Sequence, residues 1–136
     1  MIVVDTNIIT YFSIRGVFSD LARRAARQDD WCAPILWRSE FRNVLATCIR
    51  HQGMPEHEAR TLMNLAERRM SGREFTVRSS AVLDLVLNSK RSAYDCEFVA
   101  LAQDLRLKLV STDDAIISEF PKIATHLRDY IQIGSA

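Results

Sequence analysis

Four acidic residues, spread along the sequence, hold positions from which they could do chemistry together. Asp5 and Asp113 each follow a short apolar run, at points where a buried strand is expected to give way to a helix. Glu40 and Asp95 share the helical spacing of nearby apolar side chains, which predicts that each faces inward from a helix. Carboxylates gathered at one place in a fold could bind a metal ion.

Each of these acids also has an ordinary structural explanation. Asp5 could cap the helix that follows it, and Asp95 fits the last position of a capping box. Asp113 and Asp114 could stabilise the positive end of a helix, and Glu40 could pair with a distant arginine. Taken one at a time, the residues leave both explanations open.

Apolar periodicity divides the chain into alternating strands and helices. The predicted strands are residues 2–4, 31–33, 107–110 and 130–133, and residues 75–77 are expected to form a short strand or an extended link. The predicted helices are residues 6–14, 17–28, 35–51, 55–70, 80–88, a segment beginning at about residue 93, and residues 114–120. Pro34 is expected at an early helix position and residues 134–136 as a frayed tail. No linker or repeat interrupts this order, which predicts a single domain over residues 1–136.

This order of elements predicts an α/β fold with a mostly parallel central sheet of four to five strands and helices on both faces. Right-handed crossovers place the carboxyl ends of all strands at one edge of such a sheet. Asp5 and Asp113 then lie at that edge, Asp95 begins a helix entering from it, and Glu40 faces the core from an adjacent helix. The topology therefore predicts four carboxylates at one mouth of the sheet.

Carboxylates that crowd together cannot all stay ionised near neutral pH unless a cation neutralises them. A ligand set of oxygens alone, without Cys or His, favours Mg²⁺ or Mn²⁺ over zinc. Such an ion lowers the pKa of a bound water and stabilises charge on a leaving oxygen. The reaction that suits this chemistry is the hydrolysis of a phosphodiester.

The composition is that of an ordinary globular protein, with 136 residues, 48% hydrophobic residues and a formal net charge of +1. No apolar run reaches the roughly 20 residues that span a bilayer, and no signal peptide is recognisable, so a cytoplasmic protein without a membrane partner is expected. Cys32, Cys48 and Cys96 stand in apolar surroundings, which predicts buried free thiols.

The chain resembles the PIN domain family, specifically the VapC-like toxin ribonucleases of bacterial type II toxin–antitoxin pairs. The resemblance covers essentially the whole chain, and four segments carry it, in order. These are residues 3–7 (VVDTN), 37–40 (WRSE), 94–102 (YDCEFVALA) and 109–113 (LVSTD).

The resemblance implies a three-layer PIN-like fold and a metal-dependent endoribonuclease that cleaves single-stranded stretches of structured RNA. It also implies a small antitoxin protein as partner and a homodimer. The acids that match the family's ligands of Mg²⁺ or Mn²⁺ are Asp5, Glu40, Asp95 and, as the fourth, Asp113. Thr6 and Asn7 match the polar pair that supports the metal site, and the additional Asp114 could share the fourth role.

Three other functions remain to be weighed against this one. A phosphatase forming a phospho-aspartate at Asp5 would need an acid two residues later, where Asn7 stands. A phospho-receiver domain would need a Lys after a late strand, where the chain has residues 111–113 (STD). A catalytically silent PIN-like scaffold that binds RNA or a partner would have no need of four crowded carboxylates.

Overall fold

Short β-branched and apolar runs form the centre of the fold, and the helices cover them. The computed structural model describes the backbone of residues 1–134 and the side chains of residues 1–132. The strands are β1 (Ile2–Val4), β2 (Trp31–Pro34), β3 (Glu74–Phe75), β4 (Leu109–Ser111) and β5 (Ala124–His126). The helices are α1 (Thr6–Ser13), α2 (Ser19–Gln28), α3 (Trp37–His51), α4 (Glu56–Met70), α5 (Ser79–Leu87), α6 (Ala93–Leu105), α7 (Asp114–Glu119) and α8 (Leu127–Gly134).

The five strands form one sheet in the order β3-β2-β1-β4-β5, and every neighbouring pair is parallel. The predicted α/β fold, with a parallel sheet of four to five strands between helices, is therefore confirmed. Strand β1 is central, with Val3 and Val4 fully buried, as are Leu109 and Val110 beside them in β4. Because all strands run the same way, the residues after β1 and after β4 lie at the same edge.

The predicted last strand at residues 130–133 is wrong. Residues 127–134 form α8, and the fifth strand is the segment Ala124–His126, which pairs with β4. Leu127 and Ile131 are one helical turn apart and both are buried, so this segment packs as a helix. Of the tail predicted at residues 134–136, Gly134 ends α8, and the other two residues lie outside the described part of the chain.

Pro34 ends β2 and does not open a helix, since α3 begins only at Trp37. Cys32, Cys48 and Cys96 are free and buried, as predicted. Among residues 1–134, no helix combines the length and apolar character needed to cross a bilayer.

Candidate metal centre

A cavity of about 820 Å³ opens at the carboxyl edge of the sheet, beside the ends of β1 and β4. Its lining includes four acids, each supplied by a different part of the chain. Asp5 follows β1, Glu40 lies in the first turn of α3, Asp95 lies in the first turn of α6, and Asp113 follows β4. The topology thus brings to one cavity the four carboxylates that the sequence singled out.

Asp5 is the most buried of the four, with 7% of its surface exposed. Its Oδ1 accepts a hydrogen bond from the Thr6 backbone N–H at 2.8 Å, which caps α1. Its Oδ2 accepts from the Ser111 hydroxyl at 2.7 Å and from the Asn7 amide at 3.2 Å. The capping explanation and the cavity-lining explanation therefore both hold for this residue.

Burial raises the pKa of Asp5 to about 7. The hydrogen bonds from Ser111 and Thr6 counteract the rise, whereas the nearby charges of Glu40 and Asp95 add to it. A carboxyl group with this pKa changes its charge near neutrality, so a cation placed beside it would strongly favour the ionised form.

Glu40 is half-buried, and its Oε1 accepts a hydrogen bond from the Thr6 hydroxyl at 2.6 Å. Burial raises the pKa of this carboxyl, and the charge of Asp95 raises it further. No arginine of the described residues forms an ion pair with Glu40, so the pairing with a distant arginine that the sequence left open is not observed. Arg38, which lies two residues earlier, binds Glu74 and Glu67 and leaves Glu40 to the cavity.

Asp95 lies in the first turn of α6, and Ser92 caps this helix. The Ser92 hydroxyl accepts a hydrogen bond from the Asp95 backbone N–H at 3.1 Å. Burial raises the pKa of the Asp95 carboxyl, and the charge of Asp113 adds to the rise. The charge of Arg91 and a hydrogen bond with Ser92 work in the opposite direction. As with Asp5, the helix cap predicted from the sequence does not remove the side chain from the cavity.

Asp113 caps α7, because its Oδ1 accepts the Ala115 backbone N–H at 2.9 Å. The side chain still lines the cavity. Asp114 is exposed, begins α7 and is not part of the cavity lining. Of the two neighbouring acids, Asp113 is thus the one placed with the other three.

Ser111 is a central residue of this site that the sequence analysis did not select. Its hydroxyl donates to Asp5 and accepts the Asp113 backbone N–H at 3.0 Å. Asn7 reinforces this link, since its amide donates to the Ser111 hydroxyl at 3.3 Å and its carbonyl accepts the Thr112 backbone N–H at 3.2 Å. The signal available in the sequence was a small hydroxyl residue at the last position of a buried strand.

The donor set of the cavity fits a hard divalent cation. It consists of carboxylate oxygens, and no Lys or Arg of the described residues forms an ion pair with any of the four acids. Arg91, whose charge lowers the pKa of Asp95, pairs with Glu119 at 2.7 Å, and Arg15, which lines the cavity, pairs with Asp20 at 3.5 Å. In the described part of the chain, however, no three acidic, His or Cys side chains stand close enough to form a ready-made metal site.

Comparisons with known proteins identify a family from the sequence and, separately, a shared fold from solved structures. The family model of the PIN domain matches residues 2–123. No sequence among the curated proteins matches the chain.

Three solved structures illustrate the likeness in fold. PAE2754 from Pyrobaculum aerophilum superposes with a TM-score of 0.75 at 16% identity, over 98% of this chain and 95% of its own. FitAcB from Neisseria gonorrhoeae superposes with a TM-score of 0.74 at 14% identity, over 94% of this chain and 99% of its own. A chain of a toxin–antitoxin complex from Klebsiella pneumoniae superposes with a TM-score of 0.68 at 17% identity, over 93% of this chain and 98% of its own.

Proposed function

The chain belongs to the PIN domain family, and from this premise we propose that it is a metal-dependent endoribonuclease, the toxin of a toxin–antitoxin pair. The family resemblance inferred from the sequence is confirmed by the match over residues 2–123. The enzymatic activity, the RNA substrate and the metal ion are what we propose beyond this family membership.

One observation supports the proposal above the others. Four carboxylates from separate elements line a single open cavity, and no cationic side chain of the described residues pairs with them. Burial and mutual repulsion raise the pKa of three of them, Asp5, Glu40 and Asp95. A fold that retains this unfavourable arrangement is best explained by a cation that relieves it.

Asp5, Glu40, Asp95 and Asp113 would hold Mg²⁺ or Mn²⁺. When bound, such an ion supplies an activated water and stabilises the charge that develops on the leaving oxygen. The chain's own contribution is to orient the ligands. Thr6 joins Glu40 to the start of α1, and Ser111 with Asn7 joins Asp5 to the backbone before Asp113.

The proposed partners are an RNA substrate, a small antitoxin protein and a second copy of the chain, and the proposed location is the cytoplasm. The Klebsiella pneumoniae structure with the same fold is a toxin–antitoxin complex, which supports an antitoxin for this chain. The cavity has a volume of about 820 Å³ and is lined by residues beyond the acids, including Ile14 and Gln52, which supports a substrate larger than a single phosphate.

The direct test replaces a carboxylate by its neutral isostere. We expect Asp5→Asn and Asp95→Asn each to reduce RNA cleavage by more than about a hundredfold, because even outer-shell partners of metal ligands cost 10–100-fold. Cleavage by the unmodified protein should stop when EDTA is added and return with Mg²⁺ or Mn²⁺.

Asp84→Asn is the matched control, because Asp84 is exposed on α5 and does not line the cavity. It should cleave RNA at the unmodified rate. If Asp5→Asn, shown to be folded by circular dichroism, also cleaved at that rate, the nuclease assignment would be wrong and a silent scaffold would replace it.

A further inference from the structure

Tyr94 places an exposed aromatic ring, without a partner among the described residues, in the cavity that the acids line. It is the residue before Asp95 in the first turn of α6, it lines the same cavity, and 63% of its surface is exposed. Within the described residues its side chain has no hydrogen bond or aromatic contact. Other rings are paired edge to face, as Tyr11 is with Phe18 and Phe12 with Trp31.

The cavity that this ring lines is amphipathic. Its apolar lining includes Leu36 and Val44, and its polar lining includes the exposed amides of Asn43 and Gln52. Neither amide side chain is hydrogen-bonded to another described residue. An apolar face, free donors and acceptors, and a separate set of oxygens suited to a cation are therefore found in one cavity.

An unpaired nucleotide has the complementary chemistry. Its base is a flat apolar surface with polar edges, and its phosphate is anionic. In a duplex the faces of the base are covered by neighbouring bases, so an aromatic side chain can stack only on a base that is unstacked. Stacking on an aromatic ring does not depend strongly on which base is present.

We infer that Tyr94 stacks on an unpaired nucleobase next to the cleaved phosphodiester and so places that phosphate at the carboxylates. Tyr94 is thus a substrate-binding residue that favours single-stranded RNA. The inference rests on the proposed nuclease function and deepens it by naming how the substrate is held.

The first experiment compares Tyr94→Ala with Tyr94→Phe on a short unpaired RNA. Loss of the ring should raise KM about tenfold and leave kcat nearly unchanged, because one base–aromatic stack is lost. Tyr94→Phe should keep the unmodified KM, because it retains the ring. Leu87→Ala, at an apolar side chain that is 81% exposed on α5 and outside the cavity, is the control and should change neither constant.

The same comparison is then made on an RNA with an abasic nucleotide beside the cleaved bond. If Tyr94 stacks on that base, unmodified protein and Tyr94→Ala should have the same raised KM on the abasic RNA. An equal KM for both proteins on the intact RNA, or a Tyr94→Ala effect of equal size on both RNAs, would overturn the inference. The inference would also be overturned if Tyr94→Ala cleaved RNA normally and lost only the ability to bind the antitoxin.

A spectroscopic readout separates this inference from the activity. Trp31 and Trp37 are fully buried, so Tyr94→Trp would introduce an exposed indole. Unpaired RNA should quench its fluorescence in an Asp5→Asn background, and abasic RNA should not. Quenching without any cleavage by the unmodified protein would reject the nuclease and keep the stacking surface, whereas cleavage without quenching would reject the stacking alone.

Discussion

At the scale of single residues, the site depends on hydroxyl and amide groups as much as on acids. The four acids could be predicted because charged residues next to buried strands and on apolar helix faces need a reason to be there. The role of Ser111 could not be predicted, because serine is common in turns and loops and a serine near the end of a strand does not by itself indicate a site. Only the parallel register, which pairs Val4 with Val110, places its hydroxyl on the Asp5 carboxylate.

Removal of the Ser111 hydroxyl should therefore affect both stability and pH dependence. Ser111→Ala removes a fully buried hydrogen bond to a carboxylate, which should cost about 1–3 kcal/mol of the free energy of unfolding. Because this bond lowers the pKa of Asp5, its loss should raise that pKa further and move the acid limb of the pH–rate profile to higher pH. Urea unfolding and cleavage rates across pH measure the two effects.

Ser118→Ala is the appropriate control, because Ser118 is an exposed serine of the nearby helix α7. It should change neither quantity. An unshifted pH–rate profile for Ser111→Ala would mean that Ser111 does not act through Asp5.

At the scale of elements, the sequence predicted the long helices and the buried strands β1, β2 and β4, but it missed β5 and assigned a strand within α8. The fifteen residues of α3 and of α4 each carry a repeated apolar stripe. Strand β5 has three residues, too few for alternation to be recognised, and its assignment depends on pairing with β4. Helix α8 was mistaken for a strand because its β-favouring residues alternate with polar ones, while packing of Leu127 and Ile131 decides the structure.

Strand β3 has only two residues, and side-chain contacts add to its backbone pairing with β2. Glu74 accepts hydrogen bonds from the Trp37 indole at 2.8 Å and from Arg38 Nε at 2.6 Å and Nη2 at 2.7 Å. Both donors lie in the first turn of α3, the helix that carries Glu40. This contact thus ties the edge of the sheet to the element that positions one of the four acids.

Glu74→Gln should lower the free energy of unfolding at pH 7 by about 1–3 kcal/mol, because hydrogen bonds to a charged group are lost from a side chain that is only 12% exposed. The hydrogen bond with Arg38 lowers the pKa of Glu74 in the folded protein. Its contribution is therefore present above the ordinary glutamate value of about 4.3 and is lost as pH falls below it. Denaturant unfolding at pH 7 and at about pH 3 measures the difference.

Glu56→Gln supplies the comparison, since the Glu56–Arg60 ion pair is 73% and 74% exposed and should contribute little. A Glu74→Gln protein as stable as Glu56→Gln at pH 7 would contradict the role given to this contact.

At the scale of the whole molecule, the acidic cavity lowers the free energy of unfolding near neutral pH. Between about pH 4 and 7 the folded chain keeps a proton on Asp5 that the unfolded chain has lost, because burial raises this pKa to about 7. The free energy of unfolding contributed by this group therefore falls as pH rises through that range. A bound cation would reverse the loss by favouring the ionised form.

Millimolar Mg²⁺ or Mn²⁺ should accordingly raise the melting temperature, and more at pH 8 than at pH 5.5. Binding at 100 times Kd is worth about 2.7 kcal/mol, which corresponds to several degrees for a chain of this size. Differential scanning fluorimetry at both pH values measures the shift. It should be absent in Asp95→Asn and retained in Asp84→Asn, and an unchanged melting temperature in the unmodified protein at pH 8 would argue against metal binding.

The central position of β1 has a consequence for synthesis on the ribosome. The hydrogen bond between Asp5 and Ser111 joins residues 106 positions apart, and β4, the neighbour that completes the site, is translated long after β1. A nascent chain can pair β1 with β2 early, but it cannot assemble the acidic centre until residue 113 has left the exit tunnel. The acidic centre of a growing polypeptide of this sequence therefore forms only after β4 and Asp113 have been synthesised, long after β1.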